Sequence, residues 1–424
     1  DLTAFPDGTD GLEYLNTEEF RQIFKLNLKT SKRSKSNVLN TMKTLEKADF
    51  IMSVEPNTTF NAFESLQSEP IASLEPVEES QAQLSTSAIT PNDPRYSEQY
   101  ALDIINAPEA WEYSTGSSNV LVGVMDSGID GNHPDLAGNI STSLGISYVG
   151  DNSPYTDSDG HGTHVAGIIG AKGNNGIGVA GVNWNVTLVS IKVLDSTGHG
   201  APENTVLGIQ YGILHNIPIL NMSLGTYGYD DSTYAALNNY KGLIVAAAGN
   251  ENNNNDGNTA NYPSSYNLDN IVAVGASLSN NVRWGDSNYG STTVDLFAPG
   301  GLILSTYPNN SYSQMSGTSM AAPYVTGAAA LLKAIYPGLG AVQLKEAIMG
   351  GVTTHSGLQC VTGGVLNIEG SIEYASTHIL YGQKTMIGDV NNDGYDDIIA
   401  IGVNGTPTAG KVLVGMGNNM QFNM

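Results

Sequence analysis

The 424-residue chain has one cysteine, Cys360, so no disulfide can form within it. That is usual in a reducing compartment, although enzymes outside the cell also do without disulfides. No apolar run approaches the roughly 20 residues that a spanning helix needs, which argues against a membrane span. Positive charge is scarce. Seventeen Lys and Arg stand against 41 Asp and Glu, a net charge of −24. Such a balance argues against nucleic acid or an anionic membrane surface as a partner. No secretory leader is visible. The chain starts at Asp1 rather than Met, so removal of an upstream segment is expected.

What is present suits a globular protein of two or three domains, with 40% hydrophobic residues and 49 glycines for tight turns. Eight of the 17 basic residues fall between Arg21 and Lys47. Residues 1–63 read as a small separate α+β domain. Val38, Leu39, Met42 and Leu45 have helical spacing, and FIMSVE reads as a strand. Residues 64–90, rich in Ser, Glu and Pro, read as an acidic linker. In residues 91–377, apolar runs alternate with helical segments. VLVGVM (120–125), TLVSIKVL (187–194), IPILNMSL (217–224), LIVAAA (243–248) and IVAVGA (271–276) are strand candidates. Segments 203–214 and 231–240 are helix candidates. This alternation predicts an α/β fold, a mainly parallel sheet flanked by helices, with active groups at the carboxyl ends of strands.

Four motifs lie at such ends. VLVGVM runs into Asp126-Ser-Gly, and DGHGTHVAG places His161 and His164 three apart. LIVAAA runs into Gly249-Asn250, and SGTSMAAP opens a small-residue helix at Ser319. An acid, an imidazole and a hydroxyl are the parts of a nucleophilic triad, and a nearby amide can donate to an oxyanion. Zinc ligation by the two histidines lacks the glutamate of the zincin arrangement. Taken in order, the motifs resemble the subtilisin-like serine proteases, the subtilase family, over roughly residues 93–375.

The resemblance implies Asp126 as orienting acid, His161 as general base and then acid, and Ser319 as nucleophile. It implies an oxyanion hole of Asn250 and the Ser319 N–H. His164 and Ser316 are then packing and turn residues, and the glycines beside His161 leave room for substrate. Polypeptide substrates are bound as an added strand, between Ser223-Leu224-Gly225 and Gly198-His199-Gly200. Ala247, Ala248 and Gly249 wall an apolar S1 pocket above Asn261. Glu251 lies at its rim, open to a basic side chain or to solvent alone. Broad specificity follows.

Residues 1–63 resemble the propeptide of the family, an intramolecular inhibitor, with Phe63 in S1 and processing after Phe63 or near 85–90. The basic run 21–47 would favour docking on an acidic catalytic domain. The resemblance also implies calcium, held by Asp93, Asp135 and Asn175 side chains and by Gly173, Ile177 and Val179 carbonyls. Asp151 and Asp157 offer a second locus. In the tail, residues 378–424, Asp389, Asn391, Asp393 and Asp397 resemble the calcium loop of an FG-GAP (VCBS-type) repeat, with DDIIAIG and KVLVGMG as its strands. The chain is thus expected to be a secreted, calcium-stabilised serine endopeptidase in zymogen form. The alternative is a catalytically silent binding or adhesion protein that acts through the tail.

Overall fold

A computed structural model describes residues 60–62, 88–150 and 153–380, with the strand backbones Thr9–Tyr14, Phe24–Leu28, Lys384–Gly388, Asp397–Ile401 and Val412–Gly415. The expected helix at 38–45, the strand FIMSVE and Phe63 lie outside the described residues, as do Asp151, Asp389, Asn391 and Asp393. For Asp397 only the strand backbone is described. The last three strands pair antiparallel in chain order, and both segments expected as strands there are among them.

The strands and helices that build the site, in chain order, begin with β1 (Phe60–Ala62), β2 (Gly116–Asp126), β3 (Ile146–Ser147) and α1 (His161–Gly170). Next come β4 (Asn185–Lys192), β5 (His199–Gly200), α2 (Pro202–Leu214), β6 (Ile219–Met222) and β7 (Leu224–Gly225). They are followed by α3 (Asp231–Asn239), β8 (Leu243–Ala247), β9 (Ile271–Ser277), β10 (Leu296–Pro299), β11 (Ile303–Tyr307) and β12 (Ser311–Met315). The last are α4 (Thr318–Ile335), α5 (Ala341–Gly350), β13 (Thr353–Thr354) and β14 (Gly364–Val365).

Nine strands form one sheet in the order β13-β14-β10-β9-β8-β6-β2-β4-β3. Every pair in it is parallel except β13 with β14. The predicted α/β class is therefore the observed one. Successive strand residues point to opposite faces. Leu243, Val245 and Ala247 of β8 enter the core under α1 and α4, whereas Ile244 and Ala246 enter the core under α2 and α3. Both faces are covered, so the strands are apolar throughout rather than alternating. The small residues of α4 let it run through the middle of its core, with Thr318–Leu332 fully buried. From β2 the chain passes to β4 on one side and later to β6 on the other. That reversal puts a crevice at the carboxyl end of β2, where Asp126 stands.

Candidate active site

Asp126 ends β2 and His161 begins α1. Both are fully buried, and His161 Nδ1 lies 2.7 Å from Asp126 Oδ1. The same oxygen accepts the Ser127 N–H at 2.7 Å. A side chain between the two elements would hold them apart. Gly162 removes it, because a Cβ there would lie 2.1 Å from the Gly128 carbonyl oxygen and 3.1 Å from Asp126 Cβ. On the other side, a Cβ at Gly160 would lie 2.4 Å from the Tyr307 ring. The expectation that these glycines make room for substrate is corrected here. The room is filled by the protein's own turn and ring.

The start of α1 is capped from upstream rather than by its own N-cap residue. A helix leaves its first N–H groups without intrahelical partners. Here Gly160 N–H donates to Asp157 Oδ1 at 2.9 Å, and His161 N–H donates to Asp159 Oδ1 at 3.1 Å. Gly162 N–H donates to Ser127 Oγ at 3.0 Å, and Thr163 N–H to Asp157 Oδ2 at 2.8 Å. The two aspartates of DSDGHGTH are therefore structural, a role sequence reasoning did not assign them. The signal was available in Asp spacing just before a helix. Asp157 also accepts the hydroxyls of Ser127 and Thr163. With four protein donors on its carboxylate it is not disposed to hold the second calcium suggested for it.

His164, one turn on, is fully buried, and its Nε2 lies 3.0 Å from the carbonyl oxygens of both Ile303 and Ser313. It fastens α1 to the hairpin β11–β12, and burial pushes its pKa down to about 3. Ser316, expected as a turn residue, accepts the Leu302 N–H. Among the described residues no group of three or more His, Cys, Asp or Glu is arranged to hold a metal.

Ser319 is the second residue of α4 and is fully buried. Its Oγ donates to the Ser223 carbonyl at 3.0 Å, and Ser223 Oγ donates back to the Ser319 carbonyl at 2.9 Å. Pro323 explains why that carbonyl is available. In an uninterrupted helix it would take the N–H four residues on, and proline has none. Asn221 Nδ2 donates to Ser223 Oγ, and Thr326 Oγ1 to Asn221 Oδ1, so the exchange rests on a buried polar chain. Ser319 also lies in the first turn of an 18-residue helix, where the dipole favours negative charge.

Asn250 follows β8. Its Oδ1 accepts the Thr318 N–H at 2.9 Å and the Thr318 hydroxyl at 2.8 Å. Those two donors fix the amide orientation. Nδ2 is buried with no hydrogen-bond partner among the described residues. An amide held this way can donate to charge that develops beside Ser319.

The expected rails do hold an extended strand. β1 lies between β5 and β7, antiparallel to both. Phe60 pairs with Gly200, Asn61 with His199 and Gly225, and Ala62 with Leu224. Ala62 N–H donates to the Gly198 carbonyl at 3.0 Å. Phe60 is fully buried against Leu224 and its neighbours. Ala247, Ala248 and Asn261 are fully buried. At Gly249 the backbone φ is +107° and a Cβ would lie 2.3 Å from Asn288 Nδ2, so only glycine fits. Glu251 accepts the Asn250 N–H at 2.8 Å and the Tyr227 hydroxyl, and burial raises its pKa.

At the suggested first calcium locus, Asp93 and Asp135 are both buried beside the loop Gly173–Val179. Asp93 accepts the Asn174 and Asn175 N–H groups, and Asp135 accepts the Val179 N–H and the Tyr312 hydroxyl. Burial raises the Asp135 pKa, and the charge of Asp93 adds to the rise. Two buried carboxylates among backbone carbonyls are oxygen chemistry that suits a hard cation. One detail departs from the expected ligand set. Asn175 turns its Nδ2 to Asp135 at 2.7 Å and its Oδ1 to the Ile177 N–H at 2.8 Å. It bridges the site instead of offering its oxygen.

A model of the Subtilase family matches residues 117–370. The chain is 37% identical over 277 residues to Subtilisin DY of Bacillus licheniformis, covering 65% of this chain and 98% of that one. It is 40% identical over 248 residues to Thermitase of Thermoactinomyces vulgaris, covering 57% and 85%. To Subtilisin of Bacillus pumilus it is 39% identical over 279 residues, covering 65% and 98%.

Proposed function

The chain belongs to the subtilase family of serine peptidases, and on that premise we propose that it cleaves polypeptides through Asp126, His161 and Ser319. The observation that carries this reading is the buried 2.7 Å contact between His161 Nδ1 and Asp126 Oδ1. It fixes the ring so that Nδ1 holds the proton and Nε2 is basic. Nε2 takes the Ser319 hydroxyl proton as Oγ attacks the scissile carbonyl carbon. The carbonyl oxygen becomes an oxyanion, received by Asn250 Nδ2–H and the Ser319 N–H. The imidazolium then gives its proton to the leaving amine as the C–N bond breaks, which leaves an acyl ester on Ser319. A water repeats the sequence against that ester and frees the acid. Asp126 stabilises the imidazolium in both halves.

The substrate is an extended chain between β5 and β7, with the wall Ala248-Gly249 and Asn261 shaping a small apolar pocket. The carboxylate of Glu251 is engaged by Asn250 and Tyr227, which favours the apolar preference over a basic one. Residues 1–63 act as inhibitory propeptide. The support is β1, a segment of that region that occupies both rails in the place of substrate. Asp93 and Asp135 with the carbonyls of Gly173, Ile177 and Val179 hold calcium, which would supply positive charge to two buried acids. Secretion accords with this reading, and no helix among the described residues is long and apolar enough to cross a membrane.

The test is intact-mass analysis of the full chain beside Ser319→Ala, after incubation with calcium. Cleavage near Phe63 or within 85–90 in the native chain alone is the expected result. Two uncut chains, neither labelled by a serine-directed phosphonate, would sink the reading.

A further inference from the structure

We propose that Asp157 is a positioning residue for catalysis, joining the turn that carries Asp126 to the helix that carries His161; this rests on the roles proposed above for those two residues. Asp157 is 9% exposed and touches neither a rail nor the pocket wall in any described hydrogen bond. Its Oδ1 accepts the Ser127 hydroxyl at 2.9 Å and the Gly160 N–H at 2.9 Å. Its Oδ2 accepts the Thr163 N–H at 2.8 Å and the Thr163 hydroxyl at 2.6 Å. Gly160 and Thr163 bracket His161 in the chain. Ser127 follows Asp126, and its N–H donates to the same Asp126 oxygen that meets His161. Ser127 Oγ in turn accepts the Gly162 N–H at 3.0 Å. The acid and the base are therefore referenced to one carboxylate.

A helix cap alone would need only the N–H groups of Gly160 and Thr163. The Ser127 hydroxyl bond reaches across to a different element and adds nothing to capping. An amide cannot replace the carboxylate, because its NH₂ would face donors at one of the two oxygen positions. Asp157→Asn therefore loses one backbone N–H bond, from Gly160 or Thr163, turns the hydroxyl beside its NH₂ from donor to acceptor, and lets the turn and the helix move apart.

Two measurements test this. The first is peptide hydrolysis, with active sites counted by phosphonate titration. Asp157→Asn is expected to lower kcat about 10²-fold, the scale of a small misplacement of catalytic groups, with KM within about twofold because no substrate contact is lost. Ser127→Ala, which removes the hydroxyl's bond to Asp157 and its acceptance of the Gly162 N–H but leaves Asp157 on Gly160 and Thr163, is expected to lower kcat in the same direction by less. The second is proton NMR of the full chain in the Ser319→Ala background. The proton in the short His161–Asp126 bond is strongly deshielded, and Asp157→Asn is expected to shift or broaden that resonance. A folded Asp157→Asn with native kcat and an unmoved resonance overturns the proposal. So does a variant that melts earlier but turns over normally per titrated site, since Asp157 would then be a cap only. If Asp157→Asn does not fold, Ser127→Ala decides: native kcat and an unmoved resonance overturn the proposal. If the native chain hydrolyses nothing while the resonance still responds, the peptidase reading fails and the positioning role stands.

Discussion

Thr318 holds Asn250 from one residue before Ser319: its N–H and its hydroxyl both donate to Asn250 Oδ1. The proposed oxyanion donor is thus fastened to the backbone of the helix that carries the proposed nucleophile. Asn250→Leu keeps the volume and removes Nδ2. We expect kcat to fall about 10²–10³-fold, the known size of this effect for the equivalent donor in a subtilisin, with KM little changed. Steady-state kinetics on a peptide amide checks it, and a loss confined to KM would assign Asn250 to substrate binding.

The second expectation concerns acid. Burial holds the His164 pKa at about 3, against an ordinary value of 6.5. Between those values the unfolded chain binds a proton there and the folded chain does not. Stability therefore rises with pH through that window and is lost as pH falls below 6.5. His164→Gln can still donate to the Ile303 and Ser313 carbonyls but cannot titrate. Its urea midpoint should depend less on pH between about 3 and 6.5 than that of the native chain. Parallel curves would show that His164 does not drive the acid sensitivity.

Calcium should stabilise the folded chain, because it offsets the two buried charges of Asp93 and Asp135. Saturation at 100 times Kd would add about 2.7 kcal/mol. The melting temperature should rise with calcium in the native chain and respond far less in Asp135→Asn. An equal response in both would move the ion elsewhere.

Phe60 should anchor β1 on the rails. Burying such a side chain is worth about 1.5–3 kcal/mol, so Phe60→Asp should loosen the seat about 10–100-fold. In the Ser319→Ala background a labelled extended peptide should enter the cleft of the Phe60→Asp chain more readily, as read by fluorescence anisotropy. Equal occupancy would mean that β1 is held by its backbone alone.

The four motifs were legible because each sits where a strand ends or a helix begins, so chain order and chemistry agree. The rails came from the family resemblance alone, since nothing in 198–200 or 223–225 marks them as such. The hairpin β11–β12 was not recognised, although Asn309 and Asn310 at its tip adopt φ of +63° and +55°, a conformation that asparagine tolerates. Its strands are short, and one of them is largely polar. With the hairpin unseen, the two carbonyls that account for His164 were unseen as well. From the sequence, Asp157 is offered as a metal acid beside Asp151 and no role is assigned to Asp159, although both stand just before a helix where capping acids are expected. Pro323 lies inside the helix expected from SGTSMAAP. Its effect shows only when Ser223, a hundred residues earlier, arrives to use the carbonyl it leaves open.

The place of β1 between β5 and β7 carries a further consequence for what this protein can digest. A segment held along both of its edges has no backbone groups left for pairing within its own molecule. A strand inside a folded sheet, or a turn of helix, cannot enter without first giving up those bonds. A substrate that takes the place of β1, as proposed above, would be read for local disorder before any side chain. Compact proteins, the peptidase itself among them, would be spared to the extent that their surface loops resist being straightened.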